Sequence, residues 1–231
     1  MQFSEGVVVL AKNVDAIYEE LKSQIINLDL LPGTKVKEED LAKEFNISRT
    51  PIRGVISRLV KDSLLEVKPQ KGTYVSKIDL SKINDYIYVR KSVEIQMISK
   101  ICKSISEEQI QELENILTKQ YEIIQMEPSI KKSKMFFHND NLFHATMFKF
   151  AALEGVWKII HTNAIPLNRA RIMANLRSNP QVEMIYEQHR QMVQYLKEQD
   201  EKGAIEALAH HLDEGFDGIA ALVDKYNDYF E

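Results

Sequence analysis

Apolar residues recur along most of this chain at steps of three and four, the spacing of one helix face, and only a short early stretch departs from it. From residue 81 onward the pattern predicts six or seven helices, over about 81–104, 106–125, 129–151, 153–165, 166–177, 180–199 and 201–228. Ser106-Glu107-Glu108 and Asp200–Gly203 read as junctions between helices. Pro166 splits or kinks the fourth region, because it has no N–H to give to a helix. Earlier, an amphipathic helix over Glu38–Phe45 meets a tight connection at Asn46-Ile47, and a second helix opens at Ser48. Two short extended runs follow, separated by Pro69-Gln70-Lys71-Gly72.

Helix, turn, helix and hairpin in that order is the layout of a winged helix-turn-helix, whose second helix enters a DNA major groove. Ser48 is placed to cap that helix with its hydroxyl, and Pro51 falls within the first turn, where a missing N–H costs little. Arg49, Thr50 and Arg53 then occupy the opening turns that approach bases and phosphates. Ile52, Val55, Ile56, Leu59 and Val60 form the opposite, apolar stripe. At the hairpin tip, Lys71 and Gly72 offer a cation and an accessible backbone. A winged helix can also serve as a protein-interaction module.

Charge sharpens this reading. Ser48–Thr73 holds six cations (Arg49, Arg53, Arg58, Lys61, Lys68, Lys71) against Asp62 and Glu66, while the whole chain carries a net charge of −4. A focused basic face on an acidic chain suits selective recognition better than general polyanion binding. The single cysteine, Cys102, excludes an internal disulfide and reads as a buried hydrophobe. No apolar run approaches the roughly 18–20 residues of a membrane span, and the first residues lack the features of a signal peptide, so a cytoplasmic protein without a membrane partner is expected.

The helical part carries polar residues where leucines are expected. One inward row reads Phe137, Asp140, His144, Met147, Ala151; another Ile185, His189, Met192, Leu196; a third Ala204, Leu208, His211, Gly215, Ile219, Leu222. Three histidines and a carboxylate therefore point inward from three helices. A buried ionised Asp needs a partner, and this donor set suits a divalent ion such as Zn²⁺, Ni²⁺, Mn²⁺ or Fe²⁺. His138 and His210 fall off these rows, and His161 is ambiguous. Arg90, on the row Ile83, Ile87, Arg90, Glu94, Met97, and Arg171 are candidate contacts for an acidic effector; a structural ion pair with Glu94 is the competing reading of Arg90.

Two resemblances rest on these residues. Residues 14–76 resemble the DNA-binding domain of the GntR family of bacterial regulators, through Leu31-Pro32-Gly33, Leu41-Ala42, Ser48-Arg49-Thr50-Pro51-Ile52-Arg53, Arg58-Leu59 and Lys71-Gly72 with Val75. The resemblance implies Ser48, Arg49, Thr50, Arg53, Lys71 and Gly72 as DNA contacts. Gly54 stands where the family usually has Glu, and Ser63 where it usually has Gly. Residues 81–228 resemble the FCD effector domain of the FadR subfamily, through Arg90-Lys91-Ser92-Val93-Glu94, Asp140-x-x-Phe143-His144, His189 and His211-Leu212. That likeness implies Asp140, His144, His189 and His211 as ligands of a divalent metal, with small carboxylates bound at or beside it.

The expected architecture is mainly α. A winged helix-turn-helix of three helices and a small β-hairpin spans 1–76, a linker 77–80, and an all-α antiparallel bundle 81–231. The expected function is a metabolite-responsive transcription regulator, more often a repressor, acting as a homodimer on operator DNA and binding a small carboxylate-containing metabolite. No catalytic residues are expected, although a metal-dependent hydrolase or lyase, or a regulator that senses the metal itself, uses the same donors.

Overall fold

The computed structural model describes residues 13–174, 180–223 and 225–231. The first twelve residues, the end of the helix expected over 166–177 and position 224 lie outside the described residues. Two compact units divide the chain, Met1–Lys77 and Ile78–Glu231.

In the first unit, helices α1 (Val14–Ile26), α2 (Glu38–Glu44) and α3 (Arg49–Lys61) pack together. Ile17, Leu21 and Ile25 of α1, Leu41 of α2, and Ile52, Val55, Ile56 and Leu59 of α3 are buried, so the expected apolar stripe faces the core. Asn46 adopts a left-handed conformation (φ 52°) in the turn before α3, a conformation Asn tolerates better than most residues. Ser48 takes the N-cap position, but its hydroxyl makes no capping hydrogen bond, contrary to expectation. Pro51 is the third residue of α3 and lacks the N–H that a capping side chain usually accepts from.

The wing is a three-stranded antiparallel sheet of order β1-β3-β2, built from β1 (Lys35–Val36), β2 (Leu65–Lys68) and β3 (Gly72–Val75). The sequence pattern predicted only the hairpin. A two-residue strand is too short to show alternation. It exists because Gly33, at φ 80°, turns the chain alongside β3, where Gly33 N donates to Val75 O at 2.8 Å and Val75 N donates to Thr34 O at 2.9 Å.

The second unit comprises α4 (Leu80–Cys102), α5 (Glu107–Ile124), α6 (Ile130–Phe150), α7 (Glu154–Thr162), α8 (Ile165–Ala174), α9 (Pro180–Lys197) and α10 (Glu201–Val223). Local chemistry sets several of the boundaries. Asp79 caps α4 by accepting from Ser81 N and Lys82 N, Ser106 and Gln109 form a capping box on α5, and Ser129 caps α6. Pro166 sits in the first turn of α8, so the chain is split there rather than kinked. The last helix ends at Val223, short of 228; a 3-10 turn at Asn227–Tyr229 and a parallel bridge between Ile78 and Phe230 follow. Helix α10 packs on α4, α8 and α9, and α5 packs on α6 and α9, which leaves the buried polar residues of these six helices inside the bundle.

Candidate metal centre and nucleic-acid interface

Ser48, Arg49, Thr50 and Arg53 lie exposed at the start of α3. Neither arginine is free: Arg49 Nη2 pairs with Glu39 Oε1 at 2.9 Å and Arg53 Nε donates to Glu38 Oε2 at 2.8 Å, both carboxylates coming from α2. Such exposed pairs hold the guanidinium groups weakly and exchange readily for phosphate. Arg58, counted in the basic run, is structural: it lies over the Tyr18 ring (4.0 Å) and donates to Asp15. At the hairpin tip Lys71 is exposed and Gly72 has φ 119°. A Cβ on Gly72 would stand 2.9 Å from Lys35 Cε, which the flexible lysine can relieve, so it is the backbone conformation that calls for glycine here.

In the second unit the structure brings Asp140, His144, His189 and His211 together: one ligand atom from each lies within 4.8 Å of the others, and all four residues are buried. Asp140 and His144 stand one turn apart on α6, His189 comes from α9, and His211 from α10. Phe143 stacks on the His189 ring at 4.2 Å and so fixes its plane.

Each imidazole is held from behind. Nδ1 of His144 lies 2.8 Å from Glu94 Oε2, that of His189 3.0 Å from Gln120 Oε1, and that of His211 2.9 Å from Gln188 Oε1. The amide orientations are set by Gln120 Nε2 donating to Asn139 O and Gln188 Nε2 donating to Glu214 Oε2 at 2.8 Å. Amide oxygens hydrogen-bonded at Nδ1 of His189 and His211 put the ring protons there, the Glu94 carboxylate 2.8 Å from Nδ1 of His144 favours the same tautomer, and the Nε2 lone pairs are left facing inward. Two of those, on His144 and His211, stand 3.2 Å apart, and His189 Nε2 is 3.5 Å from Asp140 Oδ1. His189 Nε2 and Asp140 Oδ1 are buried with no hydrogen-bond partner. Converging lone pairs and a carboxylate oxygen without donors fit a cation, so this donor set fits a divalent metal.

The protonation states agree. Burial pushes the His189 imidazole down to about 3 despite the opposing pull of Asp140, and burial also holds His211 well below its usual value. Neutral rings are what metal ligation requires. Burial opposes ionisation of Asp140, but the Arg171 guanidinium leads the charges that outweigh it, and the carboxyl is held far below the usual range.

Arg171, expected as a contact for an acidic effector, donates from Nη1 to Asp140 Oδ2 at 2.9 Å and so anchors a cluster member. Arg90 is fully buried on α4 and its Nε donates to Glu94, the ion pair weighed as its alternative. Burial would raise the Glu94 carboxyl, yet Arg90 and His144 bring it to about 2. The sequence reading missed Gln120 and Gln188 as outer partners of the cluster. Gln120 follows Leu113 and Leu117 at helical spacing on the buried face of α5, and a polar side chain on an apolar row was the available signal. His138 and His210 lie apart from the cluster; His210 Nε2 is 3.4 Å from Glu214. Cys102 is buried, and among the described residues no helix is long and apolar enough to cross a membrane.

A three-helix head with a small wing, followed by an all-helical unit with a buried Asp/His cluster, is the layout of a DNA-binding regulator that carries a second, helical domain. The comparisons agree: "Bacterial regulatory proteins, gntR family" matches residues 13–75 and "FCD domain" matches residues 85–214, so the chain belongs to the GntR family and carries an FCD domain. It is 27% identical over 214 residues to the HTH-type transcriptional repressor RspR of Escherichia coli, covering 93% of this chain and 92% of that one. It is 24% identical over 208 residues to the Gluconate operon transcriptional repressor of Bacillus subtilis, covering 88% and 83%. Escherichia coli McbR/YncC shares the fold, with a TM-score of 0.66 at 19% identity over 94% of this chain and all of that one. The family and these relatives are transcription regulators rather than enzymes.

Proposed function

We propose that this chain is a cytoplasmic, homodimeric repressor whose helical domain holds a divalent metal through Asp140, His144, His189 and His211 and binds a small organic acid beside it. The observation that carries the reading is the inward convergence of three Nε2 atoms and one carboxylate oxygen, each imidazole being oriented by its own acceptor. A divalent ion held there supplies an electrophilic anchor for a carboxylate. The chain's own residues do the rest: Arg171 holds Asp140, Glu94 and the two glutamines orient the rings, and Arg90 adds positive charge beside the cluster.

Operator contact falls to Ser48, Arg49, Thr50 and Arg53 at the start of α3, with Lys71 and Gly72 at the wing. Two copies on a two-fold axis match a pseudo-palindromic site. Acid binding changes operator affinity through a coupling of about 1–3 kcal/mol, a factor of roughly 5–150. That one relative is named for a gluconate operon agrees with an organic acid as signal.

Elemental analysis and native mass spectrometry of the full chain test the metal. One divalent ion per chain is expected, lost in His189→Ala, and an operator selected in vitro is then released by the acid but not by the metal alone. Release by metal alone would make the ion the signal. A chain that binds no ion at any concentration would remove the sensor reading.

A further inference from the structure

Outside the four-residue set, Arg90 Nη2 and His161 Nδ1 are buried nitrogens near the cluster with no hydrogen-bond partner. Arg90 is 1% exposed, and only its Nε is taken by Glu94. The Trp157 ring lies roughly parallel to two histidines, 5.2 Å from that of His161 and 6.4 Å from that of His144, so His161 is one aromatic ring removed from the metal cluster. His161 is near enough to Arg90 to feel its charge; burial and that charge both lower its pKa, so the imidazole is neutral at neutral pH. Tyr86 lies against the Arg90 guanidinium, 5.8 Å from ring centre to Cζ, and closes the same neighbourhood with an aromatic face. A buried guanidinium N–H without an acceptor is costly, a neutral imidazole can carry its proton on Nδ1, and a site built to bond a ligand group rejects analogues that lack it.

Charge points the same way. Arg90 is balanced by Glu94 and Arg171 by Asp140. Metal-bound imidazoles are neutral, so a divalent ion would add positive charge beside these two pairs. A ligand with two carboxylates offsets more of that charge than a ligand with one.

Building on the reading above, we propose that Arg90 Nη2 and His161 Nδ1 form a second anchor beside the cluster, so that the acid recognised is a dicarboxylate. One carboxylate sits at the metal and the other is received by Arg90 and His161. His161 is the specificity-determining residue, because Arg90 is committed to Glu94 whichever acid is present.

The test uses the full chain loaded with zinc and calorimetric titration with malonate, succinate and glutarate against propionate, butyrate and valerate, the monoacids of equal length. At least one diacid is expected to bind ten times or more tightly than its monoacid. His161→Phe keeps the stacking on Trp157 and is expected to leave zinc content and monoacid affinity unchanged while weakening the diacid about tenfold, the worth of one bond to a charged group. His161→Gln, which keeps a donor, restores part of the preference. Thermal unfolding of each variant checks that it is folded. Equal affinity within every pair, or a preference that survives His161→Phe, overturns the second anchor while leaving the metal-and-acid reading intact. No binding of either acid class by zinc-loaded protein overturns both.

Discussion

Nε2 of His144 and Nε2 of His211 face each other at 3.2 Å, while Nδ1 of each ring lies against an acceptor, Glu94 Oε2 at 2.8 Å and Gln188 Oε1 at 2.9 Å. Two outward-held ring protons leave two lone pairs directed at one another, an arrangement that a cation between them relieves. Metal binding at this cluster is therefore expected to stabilise the folded unit. In chelator the protein is expected to unfold at lower temperature, and zinc at about a hundredfold excess over its Kd restores about 2.7 kcal/mol. Gln188→Ala removes the acceptor behind His211 and weakens zinc binding by roughly 10–100-fold. Differential scanning fluorimetry across a zinc series measures both; a melting temperature indifferent to zinc would leave the facing lone pairs without a function.

Arg49 and Glu39 pair on the exposed surface proposed to meet DNA. Their side chains are each 57% exposed, so the 2.9 Å pair adds at most about 1 kcal/mol to stability. Arg49→Ala is expected to leave the unfolding free energy nearly unchanged. It weakens binding to a selected operator by about 1–3 kcal/mol, or about 5–150-fold. Glu39→Gln acts in the opposite direction, releasing the guanidinium and removing a charge that repels phosphate, and tightens binding a few-fold. Fluorescence anisotropy at fixed salt reads both changes. Equal losses of stability and affinity in Arg49→Ala would indicate a structural arginine.

The two departures from the family pattern act on α3 through the backbone. Gly54 lies within α3 with nothing within 4 Å of where a Cβ would be, so Gly54→Ala costs no space and adds about 0.5–1 kcal/mol of stability. Ser63 follows the α3 C-cap, Asp62, and holds φ 57°, where a side chain costs about 1–2 kcal/mol and glycine does not. Ser63→Gly is therefore expected to stabilise the first unit by about 1 kcal/mol after the extra unfolded-chain entropy of glycine is subtracted. Urea denaturation followed by circular dichroism gives both values. A destabilised Ser63→Gly would mean that the Ser63 hydroxyl contributes more than its backbone costs.

Helical spacing was enough to place Asp140, His144, His189 and His211 on inward faces, because burial on a helix repeats every three or four residues and a polar residue on such a row stands out. The same rule placed Arg90 with Glu94. Spacing gave no sign of β1, whose two residues owe their strand to Gly33 turning the chain against β3. Nor did it show that Arg171 would close on Asp140, since that contact joins residues 31 apart through the packing of α8 on α6. Ser48 is a local failure of a local rule: a residue favoured at helix starts was denied its usual N–H partner by Pro51. Gln120 and Gln188 were legible as positions but not as partners, because which ring each amide meets is set by the packing of α5, α9 and α10.

The Arg90–Glu94 pair separates stability from metal affinity. Both side chains are buried, at 1% and 0% exposure, and Glu94 serves two partners, Arg90 through Oε1 and His144 through Oε2. Glu94→Leu leaves Arg90 as an uncompensated buried charge and is expected to cost about 3–5 kcal/mol in chelator. Adding Arg90→Met removes that charge, so the double variant recovers much of the loss. Metal affinity does not recover, because in both variants His144 lacks an acceptor behind Nδ1, and zinc binding stays roughly 10–100-fold weaker. Urea unfolding with chelator and zinc titration against a competing indicator report the two quantities independently. If the double variant regained full zinc affinity along with its stability, Glu94 would be a counter-ion for Arg90 and nothing more, and the orientation of His144 would have to come from its packing against Phe143 and Trp157.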